Sequence, residues 1–390
     1  MRLCQPLAPE DMTVQAMPDA SPAKWHLAHT TWFFETFVLR PAAAGYRPFH
    51  PEFAYLFNSY YNAVGPQWYR PHRGLLTRPT VAEVAAYRAH VDAALERLLQ
   101  AGAAPEAVVE LGLHHEQQHQ ELLLTDVKYL FAQNPLRPAY HDCPPPRGRS
   151  APEAGWIAGP TGLHPIGHAG SGFAFDNEAP RHDELIRPFR LGTRPVTNRE
   201  FRAFMADGGY DRPELWLADG WAASRDHGWR APLYWAEHDG AWWSYTLAGW
   251  RPVADDEPVC HVSFYEADAF ARWAGARLPT EAEWEVMAAE RPVRGNLLER
   301  GRLHPAADGG AGQFFGDVWE WTASPYGAYP GYRPAAGALG EYNAKFMCNQ
   351  FVLRGGSCVT PETHIRATYR NFFPPHSRWQ FSGIRLAADG

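Results

Sequence analysis

The densest chemistry in the sequence is His114-His115-Glu116-Gln117-Gln118-His119. On a helix, residues four apart share one face about a turn apart, so His115 and His119 could bind one metal ion together. His115-Glu116-Gln117-Gln118-His119 also spells the H-E-x-x-H pattern of zinc hydrolases, in which the glutamate serves as base. A second pair, His26 and His29, lies on an earlier segment and can supply a third ligand. Helical histidines at this spacing are often only buried and hydrogen bonded. Polar Gln117 and Gln118 within an apolar helix, together with the second histidine pair, shift the reading to a metal. Three neutral imidazoles leave the cation's charge uncompensated and up to three octahedral positions open, which suits Fe(II) binding a thiolate and oxygen. Zinc with three histidines and water suits hydrolysis instead. The ligand types leave both open.

Three helical segments must carry these residues. Pro22 to Leu39 has proline at a favoured first position with Ser21 as N-cap. Thr80 to Leu99 opens with Thr80 and Glu83 at capping-box spacing and repeats apolar residues at Val84, Tyr87, Val91, Ala94, Leu95 and Leu98. Pro105 to Phe131 holds the histidine cluster. With a short helix expected ahead of Pro22, these form a bundle in which polar groups of facing helices meet inside. The connection from 40 to 79 is too long to be idle and too aromatic to be disordered. It carries Tyr60, Tyr61, Arg70 and Arg73 and is expected to line something. The same residues also read as packing rings and surface charge.

The chain of 390 residues, 45% hydrophobic, is long enough for two or three domains with real cores. A boundary is expected near residue 145, at the proline run Cys143-Pro144-Pro145-Pro146-Arg147-Gly148. Beyond it strands look short and turns frequent, tryptophans recur, and helices are expected at Asn198 to Ala206 and Phe264 to Ala274, an α+β pattern. A net charge of −7 offers no general attraction for nucleic acid. No stretch reaches the ~20 apolar residues of a membrane span and no leader is evident, so a cytoplasmic protein without membrane partners is expected. The five cysteines, without C-x-x-C spacing, read as reduced thiols.

Trp25-His26-Leu27-Ala28-His29-Thr30 followed by His115-Glu116-Gln117-Gln118-His119 resembles the DinB-like domain of the ergothioneine-type sulfoxide synthases. The second half resembles their formylglycine-generating-enzyme-like domain, which has a C-type-lectin-like core. The resemblance there rests on Arg277-Leu278-Pro279-Thr280-Glu281-Ala282-Glu283-Trp284-Glu285, Gly316-Asp317-Val318-Trp319-Glu320-Trp321, Arg354-Gly355-Gly356-Ser357 and Phe381-Ser382-Gly383-Ile384-Arg385-Leu386. It implies a multidomain α and α+β chain. Residues 1–145 would form a DinB-like bundle with the iron ligands, and 146–390 a lectin-like domain completing the substrate pocket.

The activity implied is oxidative: Fe(II) and O₂ join a thiol sulfur, from cysteine or γ-glutamylcysteine, to C2 of the imidazole of N-α-trimethylhistidine (hercynine), giving a sulfoxide. A selenosugar donor would give selenoneine instead. By the same resemblance His29, His115 and His119 are the metal ligands, and His26 packs or supports them. Gln118 and Asn371, in Tyr369-Arg370-Asn371-Phe372-Phe373, would hold hercynine, with Phe372 and Phe373 beside it. Some members place an aspartate two residues beyond this asparagine and a catalytic tyrosine in the second domain. Phe373 departs from that pattern, and the chain looks closer to the branch in which a first-domain tyrosine pair, here Tyr60 and Tyr61, supplies the phenol. Arg70 and Arg73 would take the thiol's carboxylate. Cys348 and Cys358 do not match the copper-binding pair of formylglycine-generating enzymes, and no copper is expected.

Overall fold

The computed structural model describes residues 1–142, 150–307 and 313–390. The proline run Cys143 to Gly148 lies outside the described residues. The chain forms two compact units, one of Met1–His141 with Pro334–Tyr342, the other of Asp142–Arg333 with Asn343–Gly390. A single cut near residue 145 therefore differs from the packing in one place: a short segment of the second half belongs to the helical unit. Its physical basis is apolar contact and one carboxylate. Ala338, Leu339 and Tyr342 pack on the first unit's core, and Glu341 accepts the backbone N–H groups of Asn62 and Ala63 at 3.1 and 2.8 Å.

Three helices dominate the first unit: α1 (Ala23–Phe34), α2 (Val81–Gln100) and α3 (Glu106–Ala132). Every residue of α1 except Leu27 is buried, so it is a central helix covered on all sides rather than an amphipathic surface helix. Its polar side chains must therefore find partners inside, and Lys24 does so on the carbonyls of Leu76 and Pro79. The N-cap is Pro22 and makes no side-chain cap, contrary to the expectation for Ser21, whose hydroxyl accepts from Arg73 at 2.9 Å instead. A π-helical turn, Glu35–Leu39, continues α1 as expected to Leu39 but with a widened ladder. There buried Glu35 accepts the hydroxyls of Tyr46 and Tyr87 at 2.7 and 2.9 Å. The capping box at Thr80 and Glu83 forms as the spacing predicts, and α2 buries Val84, Tyr87, Val91, Ala94 and Leu98. Ahead of Pro22 the described structure has a 3₁₀ turn, Arg2–Cys4, in place of the expected short helix.

The second unit is α+β. Its largest sheet runs Asn371–Phe373, Phe351–Arg354, Trp319–Pro325, Ser382–Gly383, antiparallel except for the last pair. A second sheet pairs Trp156–Ala158 and the C-terminal Ala387–Asp389 with opposite edges of Phe189–Gly192. Helices occur at Asn198–Ala206 and Phe264–Trp273 as expected, and also at Ala218–Asp226 and Glu281–Ala288. Trp284, Trp319 and Trp321 fill the core, and their neighbour Glu320 takes both the Trp284 indole N–H and the Arg385 fork. Among the described residues no helix is long and apolar enough to cross a membrane.

Candidate metal centre

His29 projects from α1 toward the face of α3 that carries His115 and His119. The ring centroids lie 4.9 Å (His29 to His115), 4.8 Å (His29 to His119) and 4.6 Å (His115 to His119) apart. One ligand atom from each falls within 4.8 Å of the others. All three side chains are buried. Burial, first, and then the proximity of the other imidazoles hold His29 and His119 well below the usual histidine range. Burial also pushes His115 down to about 3. Neutral rings with lone pairs are what a cation needs.

The hydrogen bonds at the back of each ring decide which nitrogen remains. His29 Nδ1 donates to the Phe57 carbonyl at 2.6 Å, and its Nε2 is buried with no partner. His115 Nδ1 is likewise buried and unpartnered. His119 Nδ1 lies 2.8 Å from His26 Nδ1. A buried polar atom without a partner is costly, so orphaned nitrogens on converging rings fit a metal ligand set. Indoles clamp the His29 ring from two sides, Trp25 stacked at 4.6 Å and Trp32 at 5.5 Å. Gly112, one turn before His115, allows the close approach: a Cβ there would sit 2.6 Å from Phe34 Cε1.

Glu116, the base of the hydrolase pattern, is engaged elsewhere. Arg88 Nη2 donates to both its oxygens, at 3.2 and 2.9 Å. The successive residues of a helix cannot share a face, so the ligands and the glutamate diverge.

The other predicted residues separate into groups. Gln118 accepts a short hydrogen bond from the Tyr342 hydroxyl, and the Tyr342 ring meets His115 edge-on at 5.6 Å. Tyr342 was not singled out by sequence reasoning, because it stands in a glycine-rich loop with no periodicity to place it. The only available signal was the second-domain tyrosine of some relatives, which the departure at Phe373 led away from. Tyr61 packs in the core against Trp32 and Phe37, one ring removed from His29, and burial pushes its phenol well above the usual range. Tyr60 occupies a left-handed conformation at φ 51°, with its phenol in the field of Arg73.

The two loop arginines differ sharply. Arg70 is exposed and donates to the Asp19 carbonyl. Arg73 is 2% exposed, lies 3.4 Å over the Trp25 ring, and donates to the hydroxyls of Ser21 and Ser59, both at 2.9 Å. Its Nε is buried without a partner, and burial pulls the guanidinium down to about 9. Asn371, Phe372 and Phe373 belong to the second unit. They form an edge strand on Phe351–Arg354, with Phe372 stacked on Tyr326 at 4.0 Å.

Comparison with known proteins gives two family matches, the DinB superfamily over residues 1–123 and the sulfatase-modifying factor enzyme 1-like domain over 144–309 and 301–390. The hercynine oxygenase of Mycolicibacterium smegmatis is 35% identical, over 96% of this chain and 92% of the relative. That of Mycolicibacterium thermoresistibile is 34% identical, over 95% and 88%. The formylglycine-generating enzyme of Streptomyces coelicolor is 30% identical but matches 63% of this chain, against 93% of its own length. The hercynine oxygenases cover both units, and the chain therefore belongs to the hercynine oxygenase family of ergothioneine-type sulfoxide synthases and is an oxidoreductase.

Proposed function

We propose that the chain is a non-haem Fe(II)- and O₂-dependent sulfoxide synthase that joins a thiol sulfur to C2 of the hercynine imidazole. The observation that carries this reading is the convergence of three buried imidazoles, two of them with orphaned nitrogens. His29, His115 and His119 would hold the iron. When bound, Fe(II) supplies the redox chemistry that couples O₂ to both substrates. A zinc hydrolase would need Glu116 as base, and Arg88 holds that carboxylate.

The balance of the reaction sets what the protein must do. Thiol, imidazole and O₂ give the sulfoxide and one water, so the S–H and C–H hydrogens end on the second oxygen atom. A phenol near the centre can relay such a proton. Tyr342 is the first candidate, since its ring contacts His115 and its hydroxyl is oriented by Gln118. Tyr60 and Tyr61 stand behind it in this reading. Buried Arg73, with an unpartnered N–H and no carboxylate among its hydrogen-bond partners, suits the carboxylate of the thiol better than exposed Arg70. Gln118 is assigned to hercynine; Asn371, Phe372 and Phe373 keep the hercynine role that the family resemblance implies.

The test is turnover of purified chain with Fe(II), O₂, hercynine and cysteine or γ-glutamylcysteine, read by oxygen uptake and mass spectrometry. The expected product is an imidazole-linked sulfoxide, lost in His115→Ala. Absence of that product with every thiol would sink the proposal, and turnover with a selenosugar alone would make the chain a selenoneine synthase.

A further inference from the structure

The hydrogen-bonded chain behind His119 does not end at the next ring. His26 Nδ1 lies 2.8 Å from His119 Nδ1, and His26 Nε2 lies 3.0 Å from Asp126 Oδ2. The same carboxylate oxygen accepts the backbone N–H of Ser21 at 2.8 Å. All of these side chains are buried, with Asp126 the most exposed at 7%. The chain thus runs from the start of α1 through His26 to two residues of α3 seven positions apart.

The donors and acceptors leave little freedom. Asp126 Oδ2 already takes one hydrogen from Ser21 and acts as an acceptor, so the hydrogen it shares with His26 belongs to Nε2. A neutral imidazole protonated at Nε2 offers Nδ1 as a lone pair. The hydrogen between the two rings then belongs to His119 Nδ1, which leaves His119 Nε2 as the nitrogen available to a cation.

We infer that His26 and Asp126 are positioning residues of the metal centre, fixing His119 in its Nδ1–H tautomer and holding its ring in the orientation a divalent ion requires. This rests on the reading of His29, His115 and His119 as a metal site. It gives two residues outside the ligand set a role in metal affinity. His29 has the equivalent support from the Phe57 carbonyl, so two of the three ligands are oriented from behind.

The test is titration of the metal-free full chain with Co(II), read by its visible absorption bands, beside thermal unfolding of the metal-free protein and ¹⁵N shifts of the histidine rings. His26→Leu should weaken Co(II) binding roughly 10–100-fold. His26→Asn, whose amide oxygen can stand where Nδ1 accepts, should recover most of that loss. Asp126→Ala, which frees the His26 ring to adopt the other tautomer, should fall between. In the wild type the metal-free His119 should show its hydrogen on Nδ1. The inference is overturned if folded His26→Leu and Asp126→Ala both bind Co(II) like the wild type, or if His119 carries its hydrogen on Nε2. A pair of variants that lose only thermal stability would make the chain a structural staple and equally overturn it. A wild-type chain that binds no Co(II) would remove the metal-centre reading itself, whereas equal affinities in wild type and variants remove this inference alone.

Discussion

At the scale of residues, the centre separates groups that look interchangeable in the sequence. Tyr60, Tyr61 and Tyr342 are all phenols, but their surroundings differ. Tyr342 touches His115 and bonds Gln118, whereas Tyr61 is packed among apolar rings. Tyr342→Phe should lower sulfoxide formation by about 10²–10⁴, the usual range for a lost general acid, with the Co(II) affinity of the chain unchanged. Tyr61→Phe should leave turnover within a few fold; turnover numbers for the two variants side by side decide which phenol matters. The arginines diverge in the same way. Arg73→Lys keeps a cation but loses the planar fork and the stacking on Trp25, and it should raise KM for the thiol at least about tenfold. Arg70→Lys, at an exposed site, should change KM little.

At the scale of elements, the decisive fact is how near α1 and α3 approach. Gly112 stands at that crossing, and an added Cβ would meet Phe34 at 2.6 and 2.8 Å and Phe33 at 3.1 Å. Alanine is intrinsically the better helix former by about 1 kcal/mol. Phe33 and Phe34 are core residues that cannot swing aside, and overpacking a dense core costs about 1–3 kcal/mol. The clash should win. Gly112→Ala is therefore expected to lower the stability of the helical unit despite its better propensity, and to weaken Co(II) binding by prising His29 from His115 and His119. Thermal unfolding and metal titration of this variant check both. Much of this architecture was legible beforehand, since capping at Thr80, apolar spacing along α2 and the four-residue histidine spacing are local signals. Ser21 shows where local signals fail: its hydroxyl was claimed by Arg73, 52 positions away, rather than by the helix that follows it. Tyr342 shows the same for the site, because its place follows from a loop docking on α1–α3 and from Glu341 holding the backbone at Asn62 and Ala63. No pattern within that loop encodes its destination.

At the scale of the whole molecule, the first unit gathers a cluster of buried imidazoles, whereas the second holds a cluster of buried carboxylates and guanidinium groups. In the second unit Glu281 receives Arg370 Nε and Arg354 Nη2 on one oxygen and Arg370 Nη2 on the other, all at 2.9 Å. Burial alone would raise this carboxyl, but the Arg370 and Arg354 guanidinium groups outweigh it and hold the group below the usual carboxylate range. A folded-state value below the unfolded one means stability that is fully present above the unfolded value, about 4.3, and is lost as pH falls through the lower folded value. Removing the carboxylate leaves buried Arg370 without its carboxylate partner, while Arg354 keeps Glu285 at 2.9 Å; breaking a buried pair in this way costs about 3–5 kcal/mol. Glu281→Ala should therefore destabilise the second unit by that amount at pH 7. Its deficit relative to wild type should shrink below about pH 4, where the carboxyl of the unfolded chain begins to take up its proton. Tryptophan fluorescence in urea is the suitable probe, because 13 of the 16 tryptophans lie in that unit, with Trp25, Trp32 and Trp68 in the other. A variant whose deficit stayed constant from pH 7 to pH 3 would show that the cluster stabilises by packing rather than by charge.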